Sequence, residues 1–266
     1  MIFVYADKEI RLAQGFNEIV IDTDRDVELS LENNFVDTIV FIRLKRVGNL
    51  HLRSFHFANS SCRILVWNTL NAKLLSDEHH EIMANADLKI CYAEISRHEV
   101  ERNTWIALRE KGANGLVSCS GLVADKFNVI SDVVNFAPET VGEICNFMVV
   151  LKGGKLYIDA IGKIIKGAYH SQSHQQSRAM CFASGQTSTI IPKLIIDEND
   201  VQASHAMTIG RMNEEAMFYL NSRGLSQKQA TALIARGYLQ PITNFLGATG
   251  LEKELQNELE RELVNL

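Results

Sequence analysis

Five cysteines are the residues of this 266-residue chain best suited to bind a metal or to form disulfides. They are widely spaced and include no CxxC pair: Cys62, Cys91, Cys119, Cys145 and Cys181. Zinc sites and iron–sulfur centres usually draw on closely spaced thiolates, and disulfide frameworks use an even number of cysteines. We therefore expect reduced, buried thiols and no zinc or cluster site made by adjacent cysteines of this chain.

Two groups of histidines could bind a metal through a neutral imidazole. His170 and His174 have the i,i+4 spacing of helical zinc ligands, but the polar stretch AYHSQSHQQS around them is typical of a corner between strands. His79 and His80 are followed by Glu81, and we interpret this group as a solvated turn. A role without metal is the preferred interpretation of both groups.

The chain lacks the short motifs of several large enzyme classes. It has no GxxxxGK[ST] loop, no GxSxG, no HExxH, and no GxGxxG that opens a helix after a strand. If ATP is used, another chain must bind it. The net charge of −5 disfavours a general nucleic-acid binder, and no signal peptide or membrane-length apolar run is present, so we expect a cytoplasmic protein.

Most of the chain consists of short strand-like runs, and these runs must position the cysteines and histidines. They are rich in Val, Ile and aromatic residues, many alternate apolar with polar positions, and Asn, Gly, Asp and Ser separate them. The clearest runs are residues 18–22, 27–31, 38–44, 64–67, 88–95, 105–108, 115–120, 128–135, 147–151, 155–159 and 193–196. A sandwich, a barrel and a β-helix all fit this pattern, and the length of the series favours a solenoid.

Helical signals begin after Gly210. Asn213 predicts the N-cap of a first helix, and Ser226 with Gln229 predicts a capping box for a second, which Gly237 ends. Pro241 then predicts the start of a third short helix. In the last segment leucines recur every fourth residue, a narrow seam that must pack on its own domain or on a partner: Leu251, Leu255, Leu259 and Leu263. We predict a β domain over residues 1–210 and a helical domain over 211–266.

Residues 190–239 carry an ordered series of short motifs. In chain order these are Pro192, an aliphatic strand at 194–196, Asp-Val at 200–201, Ser-His at 204–205, a Thr-to-Gly step at 208–210, Phe-Tyr-Leu at 218–220, Ser-Arg-Gly at 222–224 and Ala230. This series resembles the C-terminal core of the SufB/SufD family of iron–sulfur cluster assembly scaffolds, and the Ser-His form is closer to SufD. Residues 153–185 resemble the preceding coils of that family more loosely.

The resemblance implies a right-handed parallel β-helix followed by a helical domain. It also implies a non-catalytic scaffold that pairs with a second SufB/SufD-type chain and a SufC-type ATPase, and that receives sulfur from a cysteine desulfurase. His205 is then the expected ligand of a nascent cluster at the subunit interface, and a hydrogen-bonded structural histidine is the alternative. The resemblance implies that the helical domain contacts the ATPase, with Phe218, Tyr219, Leu220, Arg223 and Gly224 as the candidate residues. The residue types of 218–220 taken alone favour packing at the junction with the solenoid.

The chain departs from the family pattern in two ways. Strand-like runs begin at the first residues, so we expect no N-terminal helical region of the kind common in the family. Ala203 stands where SufD-like chains often have a cysteine beside the motif histidine. Two other functions stay open: a polysaccharide-cleaving β-helix enzyme that uses Asp197, Asp200 and Arg211, or a plain metal-binding or interaction module. The sequence also leaves open the cluster type, a bound flavin, and whether the second chain is another copy.

Overall fold

The computed structural model describes residues 1–182, 185–247 and 249–264, with the side chain of 264 left out. The family-like segment 153–185 and the predicted last helix thus each include residues that lie outside the described part. The described residues form seventeen strands and three helices. The strands are β1 (Ile2–Val4), β2 (Lys8–Arg11), β3 (Phe16–Asp22), β4 (Val27–Asn33), β5 (Thr38–Arg46), β6 (Asn49–His56), β7 (Ser61–Asn68), β8 (Leu74–Ile82), β9 (Asp87–Glu94), β10 (Val100–Leu108), β11 (Asn114–Val123), β12 (Lys126–Asn135), β13 (Val141–Val150), β14 (Lys155–Ile164), β15 (Gln172–Cys181), β16 (Thr187–Ile196) and β17 (Gln202–Arg211). The helices are α1 (Glu214–Ser222), α2 (Gln227–Thr243) and α3 (Glu252–Val264).

The strands alternate between two parallel sheets. Odd-numbered strands form a nine-stranded sheet in the order β1 to β17, and even-numbered strands form an eight-stranded sheet in the order β2 to β16. Each coil of the chain therefore adds one strand to each sheet, and each strand pairs in parallel with the strand one coil away. This arrangement is a parallel β-helix, and the predicted fold class is confirmed.

The length of a coil grows along the chain. Paired positions differ by 23 residues at Val27 and Leu50, by 27 at Val100 and Phe127, and by 31 at Val141 and Gln172. No single sequence period can describe such a solenoid, so the absence of a strict repeat motif has a geometric cause.

Two apolar cores hold the molecule together. The larger one fills the interior of the β-helix with aliphatic residues from both sheets, such as Ile21, Leu52 and Ile90. The smaller one lies outside the nine-stranded sheet, where Trp67, Leu122 and their neighbours meet α2 and α3. Strands of this sheet thus bury side chains on both faces, and their sequences carry near-continuous apolar runs at those points.

The first helix matches the sequence signals. The Asn213 side chain accepts a hydrogen bond from the Glu215 backbone N–H at the start of α1. The second helix differs from the prediction, because α2 continues through Gly237 and Pro241 to Thr243 and no third short helix begins there. Packing explains the difference: Ala235, Leu239 and Ile242 are buried in the outer core, and their burial outweighs two local helix breakers.

The leucine seam of α3 is covered by this chain itself. Leu255, Leu259 and Leu263 are buried in the outer core, so the helix packs on the flank of the β-helix. Because α2 and α3 share a core with the strands, the division into two domains at residue 210 stays a prediction. Among the described residues, no helix is long and apolar enough to cross a membrane.

Candidate functional site

His205 lies in β17, the last strand of the nine-stranded sheet. The strand pairs with β15 on one side, where His205 is opposite Gln175, and on the other side no described strand pairs with it. Nine of its ten residues are exposed; only Gly210 is half-buried. The structure thus places the predicted cluster ligand on an open edge at the end of the solenoid.

The side chain of His205 is on the inner face of the last coil. Residues paired in register in a parallel sheet point to the same side, and Ser173, Gln175 and Ser177 of β15 are all buried in the interior. His205 and Met207 continue those columns, but no further coil of the described residues covers them. Gln175 donates from Nε2 to the Lys193 carbonyl at 2.8 Å, and its buried Oε1 has no hydrogen-bond partner among the described atoms.

The histidines at 170 and 174 do not form a helical pair. His170 lies in a turn at φ 59° and forms an ion-pair contact with Asp200 at 2.7 Å. His174 is in β15, and its Nδ1 is 2.8 Å from the Ser204 hydroxyl on the outer face of the sheet. The interpretation as a corner is correct for His170 only. His174 is therefore on the opposite face from His205, and His170 lies in a turn outside the strands.

The cysteines do not complete a ligand set around His205. Cys181 pairs with Arg211, six residues along the strand from His205 and about 20 Å away. Burial raises the pKa of Cys62, Cys119 and Cys145, and raises that of Cys91 to about 12, so these thiols resist the loss of a proton that metal binding requires. Within the ranges that the structure covers, no three His, Cys, Asp or Glu side chains cluster as a metal site.

The prediction of a solvated turn at residues 79–81 is wrong. These residues are in β8, where His79 and Glu81 face outward and His80 is fully buried in the interior. Apolar alternation does not mark this strand, because its three central inward positions are Ser76, Glu78 and His80 and only its two end positions are apolar. Neighbouring coils supply the hydrogen-bond partners that allow these groups to be buried.

An interior network centres on the fully buried Arg102. Its guanidinium contacts the carboxylate of Glu78 and donates to that of Glu94 at 2.6 Å from Nη2 and 3.0 Å from Nε. It also lies 3.9 Å from the ring centroid of Tyr92, whose hydroxyl donates to Glu78 at 2.5 Å. Asn68 donates to the second oxygen of Glu94 at 2.5 Å. Every charged group in this network has an oppositely charged partner.

Two buried histidines extend the network. Ser54 Oγ lies 2.7 Å from His80 Nδ1 and 2.8 Å from His56 Nε2, and His80 Nε2 is 3.3 Å from the Tyr92 hydroxyl. Burial, assisted by the nearby His80, lowers the pKa of His56 to about 3. Burial acts to raise the pKa of Glu78, but the charge of Arg102 and contacts with His80 and Ser76 outweigh it and hold that pKa below its usual value.

The residues predicted to contact an ATPase lie on α1 and at its C-terminal end. Phe218 is 75% exposed and Tyr219 is 56% exposed, so the alternative that they form a packed junction with the solenoid is wrong for these two. Leu220 is half-buried, and the guanidinium of Arg223 lies 5.1 Å from the Tyr219 ring centroid. Gly224 ends the helix at φ 93°. This helix presents two aromatic rings to solvent.

The acidic and basic residues of the polysaccharide-cleaving alternative do not converge. Asp200 precedes β17 and is bound to His170, whereas Arg211 ends that ten-residue strand about 30 Å away. Asp197 follows β16 in the other sheet. A catalytic group assembled from these three side chains is excluded by their separation.

Together these features define a class of protein: a parallel β-helix with an open last coil, an exposed histidine on that coil, and C-terminal helices packed on its flank. The family model described as "SUF system FeS cluster assembly, SufBD core domain" matches residues 12–238. The chain therefore belongs to the SufB/SufD family of iron–sulfur cluster assembly proteins.

Individual relatives agree with this assignment. The chain is 32% identical over 136 residues to iron–sulfur cluster assembly protein SufD of Bacillus subtilis (strain 168), which covers 51% of this chain and 31% of SufD. It is 26% identical over 141 residues to SufB of the same organism, covering 52% of this chain and 30% of SufB. A SufBD family protein of Archaeoglobus fulgidus is 32% identical over 114 residues, or 43% of this chain and 29% of the relative. The matched region thus covers less than a third of each relative, and the identities modestly favour SufD.

Proposed function

We propose that this chain is a non-catalytic scaffold subunit of the SUF machinery, on which iron–sulfur clusters are built and then transferred. The observation that carries the proposal is the open last coil, where an exposed β17 presents His205. A scaffold needs surfaces that partners complete, and this edge is such a surface. The cluster is the cargo of the scaffold, assembled from iron and from sulfur that a cysteine desulfurase supplies in the cytoplasm.

The last coil fits a second SufB/SufD-type chain, either another copy or a different subunit. The free edge of β17 carries backbone N–H and C=O groups that another strand can pair with. Met207 and Ile209 continue the buried columns of the interior, yet they are 42% and 46% exposed. A partner coil stacked on this edge would cover both apolar side chains and satisfy the backbone.

His205 then contributes one ligand at the interface of the two chains. A neutral imidazole can replace a thiolate on iron in some clusters. Ala203 provides no thiol beside His205. Cys145 is in register with Ala206 but two strands away, at about 10 Å, and on the opposite face of the sheet from His205. The remaining ligands therefore come from the partner chain. The site therefore forms only in the assembled pair.

A SufC-type ATPase would supply the ATP hydrolysis that this chain has no phosphate-binding loop to perform. The exposed rings of Phe218 and Tyr219 on α1 offer a compact apolar contact, with Arg223 beside Tyr219. Aromatic and arginine side chains are common energetic centres of protein interfaces. We therefore assign the ATPase contact to α1, with Leu220 and Gly224 at its margin.

The ligand role is tested with His205→Ala, and His174→Ala is the matched control on the outer face of the same end of the solenoid. Each variant is purified with its partner scaffold and ATPase after cluster reconstitution, and iron, sulfide and melting temperature are measured. We expect His205→Ala to lose most of the cluster at an unchanged melting temperature, and His174→Ala to retain it. Normal cluster content in His205→Ala with a lowered melting temperature would instead identify a structural histidine.

The ATPase contact is tested by copurification of a SufC-type ATPase with the double variant Phe218→Ala/Tyr219→Ala. Leu233→Ala on α2 removes another exposed apolar side chain and is the control. We expect the double variant to lose the ATPase and the control to bind it normally. Equal retention by both variants would place the contact elsewhere.

A further inference from the structure

A groove of about 900 Å³ lies on the outer face of the eight-stranded sheet, in the first half of the solenoid and away from the last coil. Strands β2, β4, β6 and β8 form its floor and walls. Its lining includes Glu9, Glu32, Arg53, Phe55, Phe57 and His79. The volume is within the range of small-molecule binding sites, and a few polar groups among aromatic rings are typical of such sites.

Strand register fixes the spacing of the groups in this groove. Arg53 is paired with Ser30 on one side and His79 on the other, and His79 is paired with Trp105. Adjacent strands are about 4.8 Å apart, so Arg53 and His79 reach the same small volume. The rings of Phe55 and Phe57 meet edge to face at a centroid distance of 4.6 Å beside them.

One wall of the groove is held rigidly. The guanidinium of Arg109 lies 5.0 Å from the Trp105 ring and 4.7 Å from the Phe136 ring, and it donates to Glu81 at 2.8 Å. His79 is 5.5 Å from Trp105, ring centroid to ring centroid. The side chains next to Arg53 are therefore ordered before any ligand arrives, which lowers the entropy cost of binding.

Some charged side chains of the groove have an ion-pair partner and others do not. Glu81 is bound to Arg109, and Glu32 is bound to Arg11 at 3.3 Å. Arg53 forms no ion pair with any described residue, although it lies at the centre of the lining. Glu9 is in the same row but two strands away, at about 10 Å. Among the described residues, the groove thus offers an unneutralised guanidinium at one point and an unpaired carboxylate, that of Glu9, at another. The exposed ring of Phe57 and the half-buried ring of Phe55 lie nearby.

We propose that this groove binds a nucleoside monophosphate. The guanidinium of Arg53 matches the phosphate in shape and charge, and His79 can add a hydrogen bond. The rings of Phe55 and Phe57 provide a surface on which a base can stack. Glu9 accepts hydrogen bonds from ribose hydroxyls or from an exocyclic amine, which an inorganic anion or a simple aromatic anion does not offer.

Calorimetric titration of the full chain with AMP tests this inference, with adenosine and inorganic phosphate as comparison ligands. We expect one AMP per chain, and adenosine and phosphate each at least tenfold weaker, because each keeps only part of the contacts. Arg53→Gln should weaken AMP binding at least tenfold, which corresponds to about 1.4 kcal/mol. Glu9→Gln should weaken AMP binding but leave phosphate binding unchanged.

Arg46→Gln is the matched control, because Arg46 is an exposed arginine bound to Asp22 on the other sheet. It should bind AMP like the unmodified chain, and all variants should melt at the same temperature. No heat of AMP binding up to about 1 mM would overturn the inference, as would equal affinities of Arg53→Gln and the unmodified chain. Phosphate binding as strong as that of AMP would reduce the site to a simple anion site and would also overturn it.

Discussion

Trp67 Nε1 donates a hydrogen bond to Glu258 Oε2 at 2.7 Å, and this contact joins the β-helix to the last helix. The indole is fully buried beneath α3, and Arg43 donates to both oxygens of the same carboxylate at 2.7 and 3.0 Å. A single glutamate thus accepts hydrogen bonds from both polar side chains at an otherwise apolar interface. The helical region therefore packs against the flank of the solenoid as well as following it in the sequence.

Replacing this glutamate should weaken the attachment of α3. In Glu258→Ala the buried Trp67 N–H loses its acceptor and Arg43 loses two of its hydrogen bonds, so we expect a loss of about 1–3 kcal/mol in the free energy of unfolding. Urea denaturation followed by Trp fluorescence measures the loss. Glu254→Ala, one turn earlier and half exposed, removes only one contact with Arg43 and should cost clearly less. Equal costs for the two variants would contradict the assigned role of Glu258.

Arg102→Met should be among the most destabilising substitutions in the chain. It leaves the carboxylates of Glu78 and Glu94 buried without a cation, at a cost of about 3–5 kcal/mol. Chemical denaturation measures the change. The triple variant Glu78→Gln/Glu94→Gln/Arg102→Met removes all three charges together and should recover much of the loss. A triple variant as unstable as the single one would show that volume, and not charge, sets the cost.

Stability should fall as the solution becomes acidic. The pKa of His56 is about 3 in the folded chain and 6.5 in an ordinary environment. Below pH 6.5 the unfolded chain therefore binds a proton at this histidine, whereas the folded chain leaves it neutral. Between pH 6.5 and 5 this difference alone lowers the free energy of unfolding by about 2 kcal/mol. The folded pKa of Glu78 is also lowered, and its contribution is present above its ordinary value of 4.5 and lost as the pH falls through the folded value. Both groups therefore act in the same direction.

The variant His56→Gln separates the two contributions, because glutamine has no proton to gain. Denaturation midpoints at pH 7.5, 6.0 and 5.0 should decline for the unmodified chain and change much less for the variant. If both proteins show the same decline over this range, another group carries the pH dependence.

The open edge of β17 should govern association with a second chain. Met207→Lys/Ile209→Lys places two charges where the interior columns end, and lysines on an edge strand oppose pairing. Light scattering of the variant with its scaffold partner, or alone if the chain pairs with itself, should show separate chains. The melting temperature of the monomer should hardly change, because both residues are exposed in it. Leu233→Lys on α2 is the control, and a pair that survives the edge substitution would place the interface elsewhere.

Local sequence signals were sufficient to predict a strand or helix where that element carries its own apolar pattern or capping residue. Residues 38–44 form a nearly continuous apolar run, residues 88–95 begin with apolar and polar positions in alternation, and the capping residues Asn213 and Ser226 mark real helix starts. The leucines of α3 required a covering surface, and the structure supplies one within the chain. Signals failed at β8 and β15, because three inward positions in each of these strands are polar. They also failed at Pro241, where tertiary packing keeps a helix intact across a residue that normally ends one.

The sequence by itself determined a β-rich region followed by helices, and the motif that leads to the SufB/SufD family and, through it, to the β-helix. Those properties depend on residues close together in the chain. Only the tertiary structure decided which distant residues meet: Arg102 with Glu78, Trp67 with Glu258, Arg53 with His79, and His205 with the column above Gln175. The physical reason is that neighbours in a β-helix are separated by one coil. The length of a coil changes along the chain, from 17 residues between Ile2 and Ile19 to 32 between Lys155 and Thr187, so only the stacked backbone sets which side chains share a site.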